Sequence, residues 1–148
     1  MVSAKQSMTI VLVTGGFDPI HKGHIAYFNA AKKLGDKLIV GMNSDSWLTR
    51  KKGRPFMPID ERITIVQNLK MVDEVILFDD TDGSAIEAIK NVRTLFPNDL
   101  IIFANGGDRV EGNTLELSIK DNNLKFVWGV GGTNKLNSSS WILNKWKM

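Results

Sequence analysis

Five short apolar runs constrain this chain more than any other feature of its sequence. The runs cover residues 9–14, 37–42, 74–78, 99–104 and 125–128, and the first of them reads TIVLVT. Apolar runs without polar alternation are typical of strands that are covered on both faces. Helical spacing appears between them, since Ile59, Ile63, Val66 and Leu69 recur at intervals of three or four residues. The pattern therefore predicts strands that alternate with helices.

This alternation predicts an α/β fold, doubly wound around a mostly parallel five-stranded sheet, with helices on both faces. We expect residues 1–148 to form a single domain, because the length is close to that of one domain and no shift in composition marks a linker. In such sheets, ligands bind beyond the carboxyl ends of the strands, where the strand order switches. Functional residues are therefore expected in the loops after the first, second, fourth and fifth runs.

Composition excludes several classes of site. The chain has no cysteine, which removes disulfide frameworks, thiolate zinc sites and cysteine nucleophiles. No run approaches the roughly 20 apolar residues that a membrane-spanning helix needs, and the start lacks the apolar stretch of a signal peptide. We therefore expect a cytoplasmic protein with no membrane partner.

The positive charge of the chain is concentrated at one place. The formal net charge is +3, and the densest group of cations is Arg50, Lys51, Lys52 and Arg54. This cluster allows three interpretations: a phosphate-binding loop, a solvated surface, or a nucleic-acid-binding patch whose affinity would fall steeply with salt. The single short cluster speaks against nucleic acid, so we expect no nucleic-acid partner.

The ten residues after the first strand carry the strongest functional signal, and they read GGFDPIHKGH. Gly15, Gly16 and Gly23 allow the backbone to turn tightly and to approach a ligand. His21 and His24 lie where a helix N-terminus favours an anion. Two imidazoles beside backbone N–H groups suit a phosphate whose charge grows during a reaction. A zinc site is less favoured, since the chain offers no third histidine or cysteine ligand.

This segment resembles the HxGH motif of the cytidylyltransferase-like nucleotidyltransferases, a family that includes glycerol-3-phosphate cytidylyltransferase and the heptose-1-phosphate adenylyltransferase domain. The resemblance covers nearly the whole chain and implies a Rossmann-like fold. It also implies that His21 and His24 are catalytic and face the triphosphate of a nucleotide. The nucleotide pocket is then expected to include Gly15, Gly16, Phe17, Asp18 and Gly23.

The stretch after the second strand reads NSDSWLTRKKGRPFMPIDER. From its residues alone, it predicts a flexible Gly/Pro loop whose lysines close over phosphates. It resembles the NSD…KG…RP…P…R stretch of the heptose-1-phosphate adenylyltransferase domain, with two residues fewer between KG and RP. The resemblance implies that Lys51 and Lys52 are catalytic and leaves open which of them is the functional lysine. It also implies that Arg62 and Lys52 bind the phosphate of the acceptor, with a surface charge as the alternative for Arg62.

Two later motifs extend the resemblance. The sequence ANGGDR follows the fourth strand and matches a GGD element, which implies that Gly106, Gly107 and Asp108 lie against the nucleotide. The sequence TNKLNSSSWI opens the last helix and matches an STT or SST motif, which implies that the β- and γ-phosphates bind at three serines, Ser138, Ser139 and Ser140. Serines at this position are also ordinary helix N-caps, and that interpretation remains open.

The resemblance implies a nucleotidyltransferase that moves a nucleotidyl group from ATP or CTP to a phosphorylated sugar or polyol and releases pyrophosphate. A sugar (heptose) 1-phosphate adenylyltransferase is favoured, with a glycerol-3-phosphate-type cytidylyltransferase close behind. The expected partners are thus a nucleoside triphosphate and a phosphorylated small molecule, with Mg²⁺ held by the phosphates and no metal site on the protein. A non-catalytic nucleotide-binding module and a nucleic-acid-binding module remain the alternatives, and a homodimer is left open.

Overall fold

A computed structural model of the chain describes residues 7–107, 114–132 and 138–147. In chain order its elements are β1 (Thr9–Gly15), α1 (Lys22–Lys32), β2 (Lys37–Met42), α2 (Asp45–Lys52), α3 (Ile59–Gln67), β3 (Glu74–Leu77), α4 (Ile86–Leu95), β4 (Leu100–Ala104), a 3₁₀ turn (Leu115–Ser118), β5 (Leu124–Val127) and α5 (Ser139–Trp146). All five predicted strands are present. Their ends agree with the apolar runs to within one residue, and β2 agrees at both ends.

The five strands form one parallel sheet in the order β3-β2-β1-β4-β5. From β1 the chain builds outward through β2 to β3, and α4 then carries it back to β4, on the other side of β1. The strand order therefore switches between β1 and β4, where a crevice is expected at the carboxyl ends of the strands. The predicted doubly wound, Rossmann-like fold is confirmed, and the sheet is parallel throughout.

Each face of the sheet is covered by a different set of helices. On one face, Phe28 of α1 and Val66 of α3 pack in one cluster with Val11 and Val13 of β1. On the other face, the core cluster contains three apolar residues of α4, Ala88, Ile89 and Val92. Fully burying a side chain such as valine, isoleucine or phenylalanine contributes about 1.5–3 kcal/mol, so β1 is stabilised from both sides. The crossover helices α1 and α4 consequently reach the crevice from opposite faces of the sheet.

The predicted flexible loop after β2 is wrong for residues 45–52, which form α2. Ser44 caps this helix, because its Oγ accepts the backbone N–H of Trp47, and Asp45 lies in the first turn, where the helix dipole favours a carboxylate. Gly53 ends the helix with φ = 93°, a conformation that favours glycine. The sequence therefore contains an N-cap and a C-terminal glycine at helical distance, and the basic cluster lies mostly on a helix.

The C-terminal helix α5 has no buried residue among those described, and Trp141 and Trp146 are 50% and 78% exposed. Its first turn is anchored where Ser139 Oγ donates a hydrogen bond to the carbonyl of Pro19, at 2.8 Å. This contact brings the start of α5 beside the turn between β1 and α1. Within the described residues, no helix is long and apolar enough to cross a membrane.

Candidate active site

A cavity of about 650 Å³ opens at the carboxyl ends of the strands, at the switch between β1 and β4. Its lining brings together most of the predicted site residues: Gly15, Gly16, Phe17, Asp18, His21, Gly23, His24, Lys51, Lys52, Gly106, Gly107, Ser138, Ser139 and Ser140. Asp108 lies outside the described residues. Arg62 is not part of the lining. Residues that are far apart in the chain therefore share one cavity at the place that the strand order predicts.

The two histidines are fixed by the first turn of α1. His21 is the N-cap, and its Nδ1 accepts the backbone N–H of Gly23 at 3.0 Å. His24 Nδ1 accepts the backbone N–H of His21 at 3.2 Å, and the two rings stack with centroids 3.8 Å apart. Because both Nδ1 atoms accept hydrogen bonds, each neutral ring carries its proton on Nε2. The stacked rings thus share one tautomer, with Nε2 as the donor atom.

His24 is held in its neutral form. Burial and, to a smaller extent, the charge of neighbouring His21 together lower the pKa of His24 to about 3. The ring also meets Phe17 edge-on, with centroids 4.9 Å apart. At neutral pH, His24 therefore donates a hydrogen bond as an uncharged imidazole. An anion bound beside it would favour the charged form and raise this pKa.

Neighbouring side chains leave no room for a Cβ at the two glycines that end β1 and follow it, Gly15 and Gly16. A Cβ on Gly15 would lie 2.9 Å from Cζ of Phe17, and a Cβ on Gly16 would lie 2.8 Å from Cδ2 of Leu48. Gly15 lets the Phe17 ring fold back over the end of β1. Gly16 lets Leu48 of α2 pack against the backbone that follows β1. These glycines therefore shape the cavity wall, whereas a Cβ on Gly106 would meet no atom within 4 Å.

Buried Asp18 and the partly exposed Lys52 form an ion pair that joins the histidine turn to the end of α2. The Asp18 carboxylate accepts the backbone N–H groups of Phe56 and Met57, each at 2.6 Å. Lys52 Nζ lies 2.9 Å from Asp18 Oδ2 and donates to the Asp18 carbonyl at 2.6 Å. The Asp18 side chain is 1% exposed, so its carboxylate is committed to these contacts. Asp18 thus holds Lys52 and the segment after α2 beside the histidine turn, and its contact with the nucleotide stays a prediction.

Lys51 lies on the aromatic side of the same helix. Its Nζ is 4.8 Å from the ring centroid of Trp47, within the range of a cation–π interaction. Trp47 itself lines the cavity. The sequence analysis did not assign Trp47 to the site, although its spacing of four residues before a lysine on one helix is a usable signal. The two neighbouring lysines of α2 thus have different partners, an aromatic ring for Lys51 and a carboxylate for Lys52.

Arg62 requires a correction, because its guanidinium is turned away from the cavity. Nη1 donates to the carbonyls of Gly16 and Asn43, at 2.8 and 2.9 Å, and Nε donates to the carbonyl of Met57 at 2.9 Å. Nη2 pairs with Asp45 at 2.6 Å, and the Arg62 side chain has no exposed area. The expected role in binding the acceptor phosphate is therefore replaced by a structural role. Arg62 ties the ends of β1 and β2 to α2.

The start of α5 supports the capping interpretation of Ser138. Its Oγ accepts the backbone N–H of Trp141 at 3.0 Å. Ser139 bonds to the loop before α1, and Ser140 is exposed. Two helix N-termini, those of α1 and α5, consequently open on one cavity that also receives Lys51 and Lys52. This combination of free N–H groups, dipoles and cations is suited to an anion with several negative charges.

The lining also contains polar residues that the sequence did not point to, among them Asn43, Asn105 and Glu116. Asn43 and Asn105 directly follow β2 and β4, so the rule that ligands bind at strand ends is the signal that could have found them. Glu116 is fully buried in the 3₁₀ turn, and its Oε2 accepts the backbone N–H of Ala85 at 2.7 Å. No sequence pattern marks Glu116, because its position depends on the approach of α4.

Comparisons with known proteins agree with this geometry. The chain is similar to the bifunctional protein HldE of Campylobacter fetus, at 35% identity over 136 residues, and to that of Proteus mirabilis, at 34% over 129 residues. These matches cover 90% and 86% of this chain but 28% and 24% of the relatives, so the chain spans roughly a quarter of their length.

Solved structures show the same fold. The lipopolysaccharide core biosynthesis protein of Thermoplasma volcanium is similar with a TM-score of 0.60 and 28% identity, over 82% of this chain and 96% of that one. A putative nicotinate-nucleotide adenylyltransferase of Vibrio parahaemolyticus has the same TM-score at 13% identity, over 92% and 84% of the two chains, and supports the fold alone.

The family profile described as "Cytidylyltransferase-like" matches residues 12–127. This range includes the histidine turn, α2 and the strand ends that line the cavity. The predicted resemblance is confirmed: the chain belongs to the cytidylyltransferase-like family of nucleotidyltransferases.

Proposed function

We propose that this protein transfers a nucleotidyl group from ATP or CTP to a phosphorylated sugar or polyol and releases pyrophosphate. The observation that carries the proposal is the paired arrangement of His21 and His24 at the start of α1, in the cavity that also receives α5 and two lysines. A heptose 1-phosphate with ATP is the favoured pair, supported by the similarity to the HldE proteins. Glycerol 3-phosphate with CTP is the second.

The reaction needs no covalent intermediate with the protein. A phosphate oxygen of the acceptor attacks the α-phosphorus, and a new P–O bond forms. The bond from the α-phosphorus to the bridging oxygen breaks, and that oxygen leaves with the electron pair as part of pyrophosphate. Such chemistry requires positioning and stabilisation of charge more than covalent help.

The residues of the cavity supply these two requirements. Nε2–H donors of His21 and His24 would bind phosphate oxygens whose charge increases as the bridging bond breaks. A neutral His24 is suited to donating without losing its proton, since its pKa lies near 3 in the absence of an anion. The lysines of α2 would neutralise the triphosphate and the incoming acceptor phosphate. The serines at the start of α5 would bind the β- and γ-phosphates with hydroxyl and backbone N–H groups.

A divalent ion fits this site through the phosphates. Among the described residues, no group of three or more histidine, aspartate or glutamate side chains is arranged to hold a metal ion, and the Asp18 carboxylate already accepts three donors. The lining instead offers donors, which bind phosphate oxygens and leave others for Mg²⁺. When bound in this way, Mg²⁺ would neutralise charge on the triphosphate.

The basic cluster does not support the nucleic-acid alternative. Arg50 donates to the carbonyl of Asp80 at 2.9 Å, Lys52 pairs with Asp18, and Lys51 lies over Trp47. Three of its four cations are therefore held by neighbouring groups of the protein. Lys51 and Lys52 also line the cavity, so the cluster does not form one continuous basic surface for a phosphate backbone.

A pyrophosphate-release assay tests the proposal directly. The four nucleoside triphosphates would each be combined with Mg²⁺ and with heptose 1-phosphates, hexose 1-phosphates, glycerol 3-phosphate and phosphorylated amino alcohols. We expect release that requires both a nucleotide and one class of acceptor, with formation of the corresponding nucleotidyl product. Release that is independent of every acceptor, or no release with any pair, would contradict the proposal.

A further inference from the structure

Asn43 lies at the cavity wall in a position that its backbone contacts fix completely. It directly follows β2, its backbone N–H donates to the carbonyl of Gly15 at 2.9 Å, and its own carbonyl accepts from Arg62 at 2.9 Å. The residue is 7% exposed and is part of the cavity lining. The side chain is therefore held beside the end of β1 in a wall that is nearly closed to water.

Asp80 determines which end of the Asn43 amide faces the cavity. Its buried carboxylate accepts Nδ2 of Asn43 at 3.1 Å, and it also accepts the backbone N–H and the hydroxyl of Ser44, at 2.7 and 2.8 Å. A carboxylate that only accepts hydrogen bonds requires the NH₂ group of the amide on its side. Oδ1 of Asn43 must then point away from Asp80.

The Oδ1 atom is available to a ligand. Within the described ranges, no donor pairs with Oδ1 of Asn43, and this atom is not among the side-chain atoms that are sealed from solvent without a partner. Asn43 lines the cavity and its Nδ2 is engaged by Asp80, which leaves Oδ1 as the side-chain polar atom that a ligand in the cavity can use. An acceptor atom that is held rigidly in a largely buried wall selects ligands that bring a hydrogen-bond donor to that point.

The position in the sheet indicates which ligand this is. Asn43 lies on the β2 side of the histidine turn, whereas Asn105, Gly106 and Gly107 lie at the end of β4, on the other side. The attacking and leaving oxygens of a phosphoryl-type transfer lie roughly in line, so the acceptor enters opposite the departing pyrophosphate. If the nucleotide binds at β1, β4 and the start of α5, as the motifs predict, the β2 side is left for the acceptor.

We propose that Asn43, oriented by Asp80, accepts a hydrogen bond from a hydroxyl group of the phosphorylated acceptor and thereby selects polyhydroxylated acceptors over simple alkyl phosphates. This inference rests on the proposed function, and it names a specificity-determining residue within that site. Asp80 is a positioning residue, because it acts through the orientation of the Asn43 amide.

Binding of small phosphates to the full chain tests this selection without requiring turnover. The probes are glucose 1-phosphate and glycerol 3-phosphate, with ethyl phosphate as the matched probe that lacks hydroxyl groups, each titrated by NMR. We expect the wild-type protein to prefer a hydroxylated probe over ethyl phosphate by about 3- to 10-fold, the usual value of one neutral hydrogen bond. Asn43→Ala should abolish this preference and leave the affinity for ethyl phosphate unchanged. Asn91→Ala, on the exposed face of α4, is the control.

The variant Asp80→Asn tests whether Asp80 orients the Asn43 amide or only stabilises the fold. Its new amide can donate to Asn43, so the Asn43 side chain can turn and present NH₂ to the cavity. We expect the preference for hydroxylated probes to fall although Asn43 is still present. A purely structural role would lower the melting temperature and weaken all probes equally, which would overturn the assignment of Asp80.

The remaining outcomes are equally decisive. A preference that persists in Asn43→Ala, or no preference in the wild-type protein, overturns the inference and leaves the proposed function standing. Weaker ATP or CTP binding in Asn43→Ala with unchanged binding of the phosphate probes would assign Asn43 to the nucleotide instead, and would also overturn it. If no phosphate probe and no nucleotide binds to the wild-type protein, both the proposed function and this inference fail.

Discussion

The histidine turn and the α2 region meet at one cavity, but their side chains reach it in different ways. In the histidine turn, the hydrogen bonds of both imidazoles go to backbone groups no more than three residues away. Around α2, the contacts join different elements: Lys52 and Met57 reach Asp18 across 34 and 39 residues, and Arg62 reaches Gly16 across 46. The orientation of the two imidazoles therefore depends on residues that are close in the sequence. The contacts around α2 depend instead on how the helices pack. The first region is suited to chemistry and the second to holding the cavity in shape.

His24→Ala tests the chemical half of this comparison and should have the largest effect. The variant removes one charge-stabilising donor, so we expect turnover to fall by about 100- to 1000-fold. Steady-state pyrophosphate release measures the loss, and circular dichroism shows that the fold is retained. Asn29→Ala, on the exposed side of the same helix, is the control. Turnover within a few-fold of the wild type would remove His24 from the proposed mechanism.

Arg62→Met tests the structural half. It leaves the carbonyls of Gly16 and Asn43 without their buried donor and separates Asp45 from its partner. Breaking a buried pair costs about 3–5 kcal/mol, and we expect the lower end because Asp45 is 39% exposed. Urea unfolding measures the free energy, with Arg54→Met at an exposed position as the control. Unchanged stability together with a raised KM for the acceptor would restore the phosphate role.

Asp18→Asn tests whether the Asp18 carboxylate stabilises the fold or contacts the nucleotide. The amide can accept only part of what the carboxylate accepts from Phe56, Met57 and Lys52, so we expect a loss of about 1.5–3 kcal/mol in the free energy of unfolding. The affinity for the nucleotide should stay close to that of the wild type. Glu61→Gln, on the exposed face of α3, is the control. A large loss of nucleotide affinity at unchanged stability would show that Asp18 contacts the nucleotide.

The pH dependence of stability tests whether His24 is buried in its neutral form. The pKa of His24 in the folded protein, about 3, lies below its ordinary value of 6.5, so the unfolded chain binds more protons between these pH values. The contribution of His24 is therefore fully present above pH 6.5 and is lost as the pH falls towards 3, at up to about 1.4 kcal/mol per pH unit. Urea unfolding at several pH values should show this slope in the wild type and a smaller slope in His24→Gln. Equal slopes in the two proteins would contradict a buried, neutral His24.

Much of the fold could be predicted from the sequence because its signals are local. The apolar runs define the strands to within one residue, and the period of Ile59, Ile63 and Val66 predicts α3. The lysines of residues 45–52 and the glycine and prolines that follow them predict a flexible loop, whereas these residues form α2. The N-cap Ser44 and the terminal Gly53, which define α2, are equally local and were the better signal.

The site residues show the same difference between local and long-range signals. His21, His24 and the serines at 138–140 were found, because motifs at helix N-termini place their side chains through nearby backbone atoms. Arg62 was assigned to the acceptor phosphate, since nothing in its neighbourhood reveals that its guanidinium meets two strand ends. The position of Asn43 directly after β2 marks it as a candidate, but the orientation of its amide depends on Asp80, which lies far away in the chain.

The sequence by itself determined the alternation of strands and helices, the glycine- and histidine-containing turn and the capped start of α5. All of these depend on residues only a few positions apart, for which spacing is sufficient. Only the tertiary structure decided that Arg62 binds carbonyls of Gly16 and Asn43, that Asp18 holds Lys52, and that the Asn43 amide donates to Asp80. The physical reason is that a buried charge or amide takes its role from the partners that satisfy it, and packing of distant elements supplies those partners.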